Sequence, residues 1–176
     1  MRHITRATAA TALALAVTTV GPAATAAVTS SEDPRGDARR AFDITNLRVA
    51  NNERAVRIQL DFADVNRARI GSVTAQVDTG RALGDGFFIE FRRDDEGGWT
   101  KQLQRAPMYG ETGDDTIRCV HLTLTWGRDQ AVIRLPRRCM GDVTDRIRAA
   151  AAVENARSSQ GDNAPRELFT EWVRRG

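Results

Sequence analysis

Apolar residues at every second position limit the fold of this chain more than any other feature. Val56, Ile58, Leu60 and Phe62 alternate with Arg57, Gln59 and Asp61. A strand sends successive side chains to opposite faces, so this run has one buried face and one wet face. Val73, Ala75 and Val77 repeat the pattern up to Asp78-Thr79-Gly80. Phe87, Ile89 and Phe91 repeat it up to the turn Asp94-Asp95-Glu96-Gly97-Gly98. The series opens with Ile44 to Val49, followed by a turn at Asn51-Asn52-Glu53, and a weaker strand is expected over residues 100–108. Val120, Leu122, Leu124 and Trp126 alternate with His121, Thr123 and Thr125. After Gly127-Arg128-Asp129 the run Ala131, Ile133, Leu135 returns, which reads as a hairpin.

Residues 146–157 are ambiguous. Their alanines favour a helix, but Ile147, Ala149, Ala151 and Val153 alternate as in a strand, and we read a strand. Residues 168–173 form a candidate final edge strand. Eight or nine short strands with turns at regular intervals predict an all-β fold, an antiparallel β-sandwich. The expected sandwich domain spans residues 42–176, behind a flexible charged leader at 27–41 that contains Pro34 and Gly36.

The N-terminus reads as an export signal. Arg2 and Arg6 form a positive region, Ala7 to Val20 an uncharged apolar one, and Gly21-Pro22 break it. Ala24-Thr25-Ala26 then fits a small-residue cleavage pattern, with the cut before Ala27, so residues 1–26 are expected to be a signal peptide. The apolar stretch is short of the roughly 20 residues that span a bilayer. The expected location is secreted and extracellular, with no membrane attachment after cleavage. No acid precedes Ala27, so of 26 basic and 23 acidic residues the remaining chain keeps 24 and 23, a net charge of +1. That balance argues against a nucleic-acid partner, which calls for a basic stripe.

Cys119 and Cys139 are the only cysteines. In an oxidising compartment an even count suggests a bridge. They lie at the beginning and just past the end of the expected hairpin, so antiparallel pairing brings them together.

Asp33-Pro34-Arg35-Gly36-Asp37 before Phe42-Asp43-Ile44-Thr45, the strand ending in Asp78-Thr79, and the close Arg134-Leu135-Pro136-Arg137-Arg138-Cys139 resemble a class of small secreted actinobacterial proteins. The resemblance implies a β-sandwich similar to DOMON domains and some carbohydrate-binding modules, whose members bind haem or sugars. Haem ligation in such domains uses Met and His, and this chain offers Met108, Met140 and His121, with nothing that places them together.

No catalytic motif stands out. His121 is the one histidine after the signal, set mid-strand on a polar face, and no Gly-x-Ser-x-Gly elbow accompanies it. Asp33, Asp37 and Asp43 bracket the entry to the first strand and are candidate calcium ligands, since hard oxygen donors at short spacing suit Ca²⁺. The alternative is that Asp37 and Asp43 cap turns while Asp33 is solvated. Trp99 and Tyr109 fall outside the apolar faces, in glycine-containing loops, and are candidate ligand-binding residues. Otherwise each covers an edge of the core with its polar tip in water.

The expected function is therefore a secreted, non-catalytic sandwich that binds an extracellular ligand or partner, glycan being one candidate. The alternatives are a secreted hydrolase or hydrolase accessory domain, and a protein–protein module such as an inhibitor or envelope factor. An exposed aromatic platform favours glycan. A cleft with two inward carboxylates favours an enzyme, and a flat apolar face or open edge favours a protein partner.

Overall fold

A computed structural model describes residues 27–80, 86–106, 115–141, 145–165 and 168–176. The expected signal peptide, Met108 and Tyr109 lie outside them. The described residues form β1 (Ala27–Glu32), β2 (Ile44–Asn51), β3 (Ala55–Phe62), β4 (Ile70–Asp78), β5 (Gly86–Arg93), β6 (Trp99–Ala106), β7 (Asp115–Thr116), β8 (Thr123–Trp126), β9 (Gln130–Pro136), β10 (Arg146–Asn155), β11 (Gly161–Ala164) and β12 (Val173–Arg174). They make two antiparallel sheets. The five-stranded sheet runs β1-β2-β3-β9-β8. The seven-stranded sheet runs β11-β10-β4-β5-β6-β7, with β12 added to β10. The all-β sandwich expected from the alternation is thus the observed fold. Among the described residues, no helix is long and apolar enough to cross a membrane.

The inner faces follow the period-2 pattern. Val56, Ile58, Leu60 and Phe62 of β3 meet Val73, Ala75 and Val77 of β4 and Phe87, Ile89 and Phe91 of β5 in one core. Each fully buried Leu or Ile contributes about 2 kcal/mol. β10 settles the ambiguity at 146–157. Ile147, Ala149, Ala151 and Val153 are all buried, whereas helical steps of about 100° would scatter them over opposite sides of a cylinder. Burial on one face therefore outweighs the helix propensity of alanine.

Four local readings are corrected. The first part of the expected leader is a strand: β1 pairs with β2 from Ala27↔Asn51 to Glu32↔Asn46. Its side chains alternate only between partly buried and exposed, so backbone pairing, not an apolar face, makes it a strand. His121 lies in the turn before β8, not mid-strand, and Val120 is exposed. Asn51 belongs to β2 rather than to a turn. It is fully buried, and its Nδ2 donates to the Val173 carbonyl at 2.9 Å. Only Val173 and Arg174 of the expected last strand pair, and Leu168 is exposed.

The cysteine expectation holds. Cys119 and Cys139 are bridged, with Cα atoms 5.6 Å apart. The β8–β9 hairpin between them is paired from Trp126↔Ala131 to Thr123↔Arg134.

Candidate functional site

The acidic residues near the first strand converge differently from the sequence expectation. Asp33, Asp37 and Asp162 offer carboxylate oxygens that all lie within 4.8 Å of one another. Asp43 is not among them. It accepts from the Gly36 N–H with both oxygens, at 3.1 and 3.0 Å. Gly36 has φ +85°, a left-handed conformation that glycine adopts without strain, so Asp43 caps that turn. Asp33, expected to be solvated if it bound no ion, is buried. Asp162 enters from β11, where its Oδ2 accepts the Ile44 N–H at 2.6 Å and its Oδ1 accepts its neighbour Asn163 N–H at 2.9 Å. Burial, and then the charges of Asp33 and Asp37, push its carboxyl up to about 6 against the two amide bonds that favour the ionised form. The trio joins the β1–β2 connection to the second sheet. Its oxygens are the type calcium takes, but close acidic groups alone assign no ion.

Trp99 opens β6 and points between the sheets. Its ring centroid lies 6.0 Å from that of Trp126, which in turn stacks on Phe62 at 6.2 Å. Arg93 stands over Trp99 at 5.7 Å and Arg67 over Trp126 at 5.6 Å. The partly buried Trp99 packs against the core, so it covers the core's edge rather than offering a free platform.

The outward face of the seven-stranded sheet has a different character. Strand register sets Ala150, Gln76, Phe88, Gln104 and Thr116 side by side across β10, β4, β5, β6 and β7. The next row is Asn163, Ala152, Thr74, Glu90 and Gln102, starting from β11. Rows on one face repeat about every 6.8 Å along a strand, and strands lie about 4.8 Å apart. Gln76 and Gln104 thus flank an outward, half-buried aromatic ring, with Thr74, Glu90 and Gln102 in the next row and Asn163 three strands away. Charges on this face are paired: Glu90 of the second row with Arg92 beyond it, and others towards its ends. Arg148 Nε meets Asp78 at 2.7 Å, and its guanidinium lies 4.9 Å from the Phe169 ring and 4.8 Å from that of Trp172. At the other end Arg92 pairs with Glu90 at 2.6 Å, and Ser72 donates to Glu154 at 3.2 Å.

Two recesses are described. One, of about 180 Å³, lies on this face over Ala150 and Ala152, beside Asn163, Pro165 and Leu168. The other, of about 460 Å³, lies between β6 and residues 116–122. There Lys101 Nζ donates to the Val120 and Leu122 carbonyls at 2.8 and 2.9 Å, so the chain's only lysine ties down the bridged turn. Neither recess has a carboxylate in its described lining.

Sequence reasoning passed over Phe88 and Asp162. The alternation of Phe87, Ile89 and Phe91 already turns Phe88 outward, so its signal was present. Asp162 is 118 residues from Ile44, whose amide it caps, and nothing local announces that contact. No protein-family model matches this chain, and no curated protein or solved structure does, so the resemblance to DOMON domains and carbohydrate-binding modules rests on its short motifs alone.

Proposed function

We propose that this protein is an exported, non-catalytic binding module that holds an extracellular glycan on the outward face of its seven-stranded sheet. The observation that carries the reading is the row Gln76–Phe88–Gln104 beside the row Asn163, Ala152, Thr74, Glu90 and Gln102, in which Glu90 is paired with Arg92. A sugar ring presents an apolar C–H face and an equatorial rim of hydroxyls. An aromatic ring takes the first and neutral amides, each both donor and acceptor, take the second. Such sites are mostly apolar surfaces with a few placed polar groups. The sandwich supplies a rigid platform, and the Cys119–Cys139 bridge suits an oxidising compartment. Retention of the exported protein on insoluble polysaccharides, lost on Phe88→Ala, tests the proposal.

A further inference from the structure

The smaller recess narrows the ligand class, and this inference rests on the glycan reading above. Its floor is Ala150 and Ala152, where the outward positions of β10 carry only methyl groups. Gln76 on β4 and Asn163 on β11 flank the floor, both exposed. Among the described residues, neither side-chain amide has a hydrogen-bond partner within the protein. Pro165 and the exposed Leu168 make an apolar wall. No charged residue belongs to the described lining.

This combination suits one substituent better than a plain hydroxyl. A methyl group covers the alanine floor and the apolar wall. An adjoining amide N–H donates to a side-chain carbonyl oxygen, and its own carbonyl accepts from a side-chain NH₂. A free amino sugar would instead carry its ammonium to a recess whose described lining offers no counter-charge. We propose that the recess receives the acetamido group of an N-acetylated sugar in an extracellular polymer.

Co-sedimentation of the exported protein with four insoluble polymers tests this. Chitin and peptidoglycan carry acetamido sugars, chitosan carries the free amine, and cellulose carries neither. The expected result is retention on chitin, peptidoglycan or both, with at least tenfold less on chitosan and cellulose. Retention on only one of the acetylated polymers supports the inference and names the source. Ala152→Leu, which fills the floor, should abolish the preference. Gln76→Ala, at an exposed position, should weaken it likewise if the leucine disturbs the sheet. Equal retention on chitin and cellulose would overturn the acetamido assignment and leave the glycan reading standing. Retention on none of the four would overturn both.

Discussion

The Trp99 and Trp126 rings meet 6.0 Å apart in the gap between the two sheets, joining the open side of β6 to the end of β8. Trp99→Ala therefore acts on stability. Fully buried Trp-to-Ala changes cost about 3–5 kcal/mol, and a partly buried ring about half of that. Thermal unfolding should show a loss of about 2 kcal/mol with glycan retention unchanged. A stable variant that had lost retention would return Trp99 to the binding site.

The bridge makes a second prediction. Closing a loop of this size contributes about 3 kcal/mol in the chain-entropy model. Mass spectrometry after alkylation without reduction should find Cys119 and Cys139 protected, and reduction should lower the melting temperature. Two alkylated cysteines in the exported protein would contradict the bridge.

The carboxylate trio sets a pH dependence. The folded state holds the Asp162 proton up to about pH 6, against the ordinary aspartate value of 3.8. The folded protein therefore binds more protons than the unfolded chain between those values. The contribution is fully present below about pH 4 and is lost as pH rises through 6, about 3 kcal/mol in all. With chelator present, the wild type should lose stability relative to Asp162→Asn between pH 4 and 7. Parallel pH profiles for the two proteins would remove the effect.

The same trio is where the expected calcium is tested. At pH 7 millimolar calcium should raise the melting temperature of the wild type, because a ligand of the folded state stabilises it, and should leave Asp162→Asn unmoved. An unchanged wild type removes calcium from the account.

How far the fold could be read in advance depends on where each signal resides. β3 and β10 declare themselves because one face is buried and the other wet, residue by residue. β1 reads as a leader because residues 27–41 are polar and charged, with Pro34 and Gly36, and no side chain of β1 is fully buried. Its order comes from hydrogen bonds to β2, which leave no trace in hydropathy. The bridge was legible because a hairpin fixes the relation of its two ends. The binding face was not, because it depends on which strands are neighbours. Ala150 on β10 and Gln76 on β4 are 74 positions apart in sequence, yet they stand side by side. Asp43 and Asp162 exchange roles for the same reason: sequence proximity favoured the first, and sheet topology brings the second.

Comparing Phe88→Ala with the wild type on the polysaccharide that the wild type retains tests the central claim most directly. A stacking contact contributes roughly 1.5 kcal/mol, so the dissociation constant should rise about tenfold. Phe88 is half-buried on the outward face, so, as for Trp99→Ala, the change should cost about 2 kcal/mol of stability, and affinities are compared at a temperature where both proteins are folded. Unchanged affinity in a well-folded Phe88→Ala protein would contradict a glycan site on this face.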